Sequence, residues 1–148
     1  MWCRFGSDAK RGLRGERGVV AVEFALILPV FLLLVFGIAD FGHAWYMQQT
    51  VTNASREGAR YGTRYSGSPA SALSPSIASW ISSKYSSLLP PDANLQVLPG
   101  GAGYTSGSTS DDLSVRVTAT KNWWVLGNLV PGFGTTKDIK SITWMKIE

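Results

Sequence analysis

Apolar residues run almost without a break from Val19 to Ile38, and twenty residues in a helix rise roughly 30 Å, about the hydrocarbon thickness of a bilayer. The pattern predicts a membrane-spanning helix, tolerated through Pro29 but bent near it. Beyond Gly37 the chain turns amphipathic without a turn signal. Phe41, Ala44, Trp45, Thr52, Ser55 and Ala59 share one side at the helical period, with Glu57, Arg60 and Arg64 opposite, so the helix is predicted to continue to about Arg64. Trp45 and Tyr46 fall just past the apolar run, where amphipathic rings favour the boundary between headgroups and water.

The Gly/Ser/Pro stretch from Ser66 to Ser71 ends the helix and reads as a connector. Ile77, Trp80, Ile81, Tyr85 and Leu88 then recur at helical spacing until Pro90 and Pro91, predicting a second, short helix. Leu95 and Val97, the alternating Leu113, Val115, Val117 and Ala119, and the segment from about Ile139 to Ile147 predict three half-buried strands. The Gly/Ser/Thr-rich stretch from Gly100 to Ser110 is read as a loop. Trp123 to Leu126, with Leu129, Val130 and Phe133, form an apolar loop expected to cap the sheet edge. No internal repeat is present.

Charge sharpens the topology. Of the formal +4, a net +3 lies in the first eighteen residues, where Arg4, Lys10, Arg11, Arg14 and Arg17 face only Asp8 and Glu16. Cations are retained on the cytoplasmic side, so the N-terminus is expected inside and the C-terminal head outside. The remaining +1 gives no basic stripe for nucleic acid. A cleaved secretory signal would have a shorter apolar core and a small-x-small site after it, which is not seen here. The single cysteine, Cys3, lies in this basic leader and leaves the exported part without thiol chemistry. With 148 residues there is room for one small domain beyond the apolar segment, not for a large multidomain enzyme.

The polar residues carry little chemistry. No His, Cys, Asp and Glu group has metal-ligand spacing, no cofactor motif is present, and no nucleophile elbow or Ser-x-x-Lys arrangement stands in a suitable context, so no enzyme is expected. His43 reads as a polar residue at the membrane exit. Asp111 and Asp112 read as turn formers. Glu57 and Arg60 are expected to pair at i, i+3 on a solvated helix face. Trp123 and Trp124 fit either a partner surface or the core of the head. Glu23 is the exception, because a lone carboxylate in a spanning helix costs about 2.5–3.5 kcal/mol on insertion scales and marks function unless local water reaches it.

The basic leader ending in Gly18, the run Val19-Val20-Ala21-Val22-Glu23-Phe24-Ala25-Leu26, and Leu28-Pro29-Val30 closely resemble the TadE-like proteins, minor pseudopilins of tight-adherence (Flp-type IV) pilus systems. Phe41-Gly42 and the downstream Asn53-Ala54-Ser55-Arg56-Glu57-Gly58-Ala59-Arg60-Tyr61 strengthen the likeness, and the tail from Ser141 to Glu148 is also similar. The resemblance implies cleavage by a membrane prepilin peptidase between Gly18 and Val19, making Glu23 the fifth residue of the mature chain. Glu23 and Phe24 then serve prepilin recognition and subunit register, with Asn53, Arg56, Glu57, Gly58, Arg60 and Tyr61 as a membrane-proximal motif. Phe24 stands where the major pilins tend to carry Tyr, which, with the large head, favours a minor pseudopilin.

The resulting expectation is an α+β protein: a long N-terminal transmembrane α-helix continuing out of the membrane, then a small pilin-like head with a short antiparallel sheet. Its divisions are a leader at 1–18, a transmembrane helix at 19–39, a helical extension at 40–65, a linker at 66–76 and the head at 77–148. The implied partners are the prepilin peptidase, other pseudopilins, the major Flp pilin, the inner-membrane assembly platform and the cytoplasmic membrane. Localisation is expected to be single-pass in the inner membrane, as an assembly factor or a fibre subunit. The competing expectation is an uncut, signal-anchored protein whose periplasmic head binds a ligand or envelope partner.

Overall fold

The computed structural model describes residues 12–64, 68–129, 131–132 and 134–147, with side chains for all of these except residues 12–17 and 129. The leader residues 1–11, Ser66 and Gly67 of the expected connector, Val130 and Phe133 of the apolar loop, and Glu148 lie outside them. The chain divides into two units, Met1–Ile38 and Ala39–Glu148.

A single helix, α1, spans Gly12–Thr63 and remains helical across Pro29. Helix is thus already present at Gly12, ahead of Val19. Within the first unit the helix carries the apolar run, from Val19 at 59% exposed to Ile38 at 66% exposed, as suits a segment whose surroundings are lipid.

The second unit is α+β. Besides the C-terminal part of α1 it contains α2 (Ile77–Tyr85), α3 (Ala102–Ser106), α4 (Leu126–Leu129), short 3₁₀ turns at Ala70–Ala72 and Ser86–Leu88, and a three-stranded antiparallel sheet. The strands β1 (Gln96–Gly100), β2 (Asp112–Asn122) and β3 (Thr136–Lys146) lie in the order β1-β2-β3. Alternation sets the sheet's faces: Leu113, Val115, Val117 and Ala119 of β2 are fully buried, and the register pairs Val115 with Thr143 and Val117 with Ser141. Ser76 caps α2 by accepting from the Ser79 N–H, and Ile77, Ile81 and Tyr85 turn inward from that helix.

The inner face of α1 differs from the expected one. Phe41 and Trp45 are each 62% exposed, while Asp40, Met47, Val51, Ala54, Ser55 and Ala59 are buried. Small residues govern this face because the helix lies very close to its neighbours. A Cβ on Gly58 would stand 2.3 Å from Ile81 Cδ1, and one on Gly62 would stand 2.4 Å from Leu113 Cδ2. Ser55, fully buried, bonds across to β3 through Ser141 Oγ at 3.0 Å and Thr143 Oγ1 at 2.8 Å. The stretch from Gly100 to Ser110, expected as loop, contains α3, ended by Gly107 in the left-handed conformation at φ 66°.

Candidate functional site

The residues singled out from sequence fall into two groups on α1. Gly18, Val19, Glu23 and Phe24 lie in the first unit, all exposed. Among the described residues Glu23 has no hydrogen-bond or ionic partner within the chain. Gly18 is helical, so a peptidase acting there would first have to unwind the backbone, which glycine makes less costly by roughly 1 kcal/mol relative to alanine.

The second group splits by direction. Gly58 turns inward and lets the helix approach Ile81 and Val115, whereas Asn53, Arg56 and Arg60 are exposed. Glu57 pairs with Lys84 of α2 rather than with Arg60, correcting the expected i, i+3 pair. That bond is the main reason the Glu57 carboxyl is held below the usual carboxylate range. Tyr61 stacks flat on Trp80, with centroids 5.0 Å apart, and its hydroxyl donates to the Pro75 carbonyl at 2.9 Å. Glu57, Gly58 and Tyr61 therefore join helix to head, and Arg60 faces an open groove of about 830 Å³ with Arg64, Lys84 and Lys146 on its walls. Among the described residues the groove has one carboxylate, Glu57, which Lys84 already engages. No group of three or more His, Cys, Asp or Glu among the described residues could hold a metal ion.

Sequence reasoning missed the most heavily bonded group in the second unit. Asp40, two residues past the apolar run, is fully buried and meets Lys121 of β2 at 3.2 Å. Its carboxylate also accepts from the backbone N–H of Trp124 at 3.1 Å, Val125 at 3.0 Å and Leu126 at 3.3 Å. Burial pushes the Asp40 carboxyl up, but those three N–H bonds and Lys121 outweigh it and hold the group below its ordinary value. The Lys121 ammonium lies over the rings of Trp123 and Trp124, at 5.2 and 5.0 Å, and donates to the Asn122 carbonyl. The apolar loop after β2 closes on this carboxylate. Trp124 is 65% exposed, so the head's core is not where its ring lies; it stacks against His43 at 5.3 Å. Burial and the nearby Lys121 charge lower the His43 pKa, favouring the neutral imidazole. A signal for the pair existed: Lys121 has the same parity as Leu113, Val115, Val117 and Ala119, which demands a buried partner.

The N-terminal geometry gains its meaning from comparison with known families. Residues 18–60 match the family model of TadE-like proteins. The matched TadE-like segment starts at Gly18, contains Glu23 and the stretch from Asn53 to Arg60, and ends before the sheet begins. No curated protein and no solved structure matches the chain significantly. The TadE-like match points to a tight-adherence pilus-related protein, and the apolar helix suggests a membrane anchor.

Proposed function

We propose that this protein is a minor pseudopilin of a tight-adherence (Flp-type IV) pilus, processed by a prepilin peptidase between Gly18 and Val19. The observation that carries the reading is the TadE-like match beginning at Gly18 and spanning the apolar helix with its solitary Glu23. In the processed chain Glu23 lacks an internal partner, and a neighbouring subunit's new α-ammonium supplies one. Two charges that are each costly in an apolar bundle become one charge-assisted pair, which sets axial register. The basic leader keeps the N-terminus in the cytoplasm and places the head outside the inner membrane. There the head meets other pseudopilins, the major pilin and the assembly platform.

An uncut signal anchor is the second reading, favoured by the helix passing through Gly18 unbroken. The N-terminal residue and intact mass of the protein, isolated from membranes with and without a prepilin peptidase and repeated for Gly18→Ala, decide between them. Loss of residues 1–18 only where peptidase and Gly18 are both intact is the expected result. A full-length chain under every condition would transfer the function to the anchored head.

A further inference from the structure

The Asp40 bonds fix Trp124 at one level of the protein. Asp40 follows the last apolar residue, Ile38, by two positions, and it accepts directly from the Trp124 N–H, while the Trp124 ring stacks on His43 a turn further on. In a helix, residues 39–43 rise about 7 Å. The headgroup layer on each side of a bilayer is of the same size, about 5–8 Å from the difference between the full and hydrocarbon thicknesses. A ring held between Asp40 and His43 therefore lies in the headgroup layer when the apolar run occupies the hydrocarbon.

Other side chains at this level have the same character. Phe41 and Trp45 are each 62% exposed and Tyr46 is 49% exposed. At about 100° per residue, Phe41 and Trp45 lie on one side of the helix, and Tyr46 and His43, with Trp124 upon it, lie about 60° apart on the other. Aromatic groups thus stand on two sides of the helix within one and a half turns. Shielding Lys121 does not account for Trp124: the lysine is 1% exposed while most of the Trp124 surface remains open. Amphipathic rings gathered next to an apolar span are what a lipid–water boundary favours.

We propose that the loop from Trp124 to Leu129 is a second membrane contact, in which the head lays the Trp124 ring into the headgroup layer beside its own helix. The partner is a phospholipid surface. The contact rests on the membrane-anchor part of the proposed function and is independent of cleavage at Gly18.

Spin labels test it in the full chain with Cys3→Ser, reconstituted into phosphatidylglycerol/phosphatidylcholine vesicles. One label is placed at Asn128→Cys, exposed on α4, with Trp124 retained. A second at Phe31→Cys reports on the span. A third at Ser110→Cys reports on water, since Ser110 precedes Asp112 at the opposite end of β2, itself about 30 Å from Lys121 by strand rise. The expected result is high oxygen and low nickel-chelate accessibility at 128, shifting toward the Ser110 values when Trp124→Ala is added. A label at 128 as open to the chelate as at 110, with 31 in lipid, overturns the contact and leaves the anchor standing. Low accessibility to both reagents at 128 means a protein covers the loop, and also overturns it. A water-accessible label at 31 removes the anchor and the contact together.

Discussion

The Asp40 carboxylate and the Lys121 ammonium lie 3.2 Å apart with 0% and 1% exposure, although 81 residues separate them. The two partners are not equally dependent on each other. Asp40 has three backbone N–H donors besides Lys121, whereas Lys121 has one carboxylate, one carbonyl and two indole faces. Removing the acid leaves a buried cation without its counter-charge; removing the base leaves an anion still well hydrogen-bonded.

Asp40→Asn is accordingly expected to destabilise the head by about 3–5 kcal/mol, the range for breaking a buried pair, and Lys121→Met by less. Urea unfolding of the full chain in detergent micelles, followed by tryptophan fluorescence, gives both values. A larger loss for Lys121→Met would contradict the ordering.

The same carboxylate sets an acid limit. Its folded pKa is lowered, so its contribution is fully present above the ordinary carboxylate value of about 3.9 and is lost as pH falls through the lower folded value. Glu57 follows the same sign with a smaller share, since its pair with Lys84 is open to solvent. Urea midpoints are expected to fall steeply below about pH 4. The fall should be shallower in Asp40→Asn, and an unchanged slope would remove Asp40 as its cause.

At the alkaline end Tyr85 is the group to follow. Burial, and then its bond to Glu57, push the Tyr85 phenol up to about 12. The folded state favours the protonated form, so this contribution holds below the ordinary value near 10 and is lost as pH rises toward 12. Tyr85→Phe should delete the step near 12 from the phenolate difference spectrum at about 295 nm, and Glu57→Gln should lower its midpoint.

The glycines of α1 are expected to respond in opposite directions. A methyl group at Gly62 meets Leu113 Cδ2 at 2.4 Å and Ile77 Cδ1 at 2.8 Å, and both residues are buried. Overpacking of about 1–3 kcal/mol exceeds the helix-propensity gain of about 1 kcal/mol, so Gly62→Ala lowers the melting temperature. Gly42 has nothing within 4 Å, so Gly42→Ala keeps the propensity gain and raises it. A higher melting temperature for Gly62→Ala would show that the helix has room to retreat.

Elements whose pattern is set by burial of large side chains were legible in the sequence. The alternation from Leu113 to Ala119 located β2, and the spacing of Ile77, Ile81 and Tyr85 located α2. The inward face of α1 was not legible, because Ala54, Ser55, Gly58 and Ala59 are buried for their small size rather than their hydrophobicity, while the conspicuous Phe41 and Trp45 face outward. Glu57 illustrates a second limit. Its local partner Arg60 was visible at i, i+3, but Lys84 of α2 took the bond, and only the packing of two helices brings that residue near. Gly18, Glu23 and the motif from Asn53 to Tyr61 stood out as a pattern, whereas Asp40 stood out only once Lys121 was beside it.

The distance along the chain between Asp40 and Lys121 also imposes an order of events during biosynthesis. In the proposed topology, with the head outside the inner membrane, Asp40 would leave the membrane early, and its partner would follow only after α2, α3 and most of β2 had emerged. Until then the carboxylate must remain hydrated, and the helix beside it cannot be sealed against the sheet. Closure of the loop onto Asp40 is therefore a late, long-range step, slow by the cost of bringing distant segments together. In that topology a chain that has made this connection would already have passed residues 40–121 across the membrane, which would make the buried pair a built-in mark of advanced export.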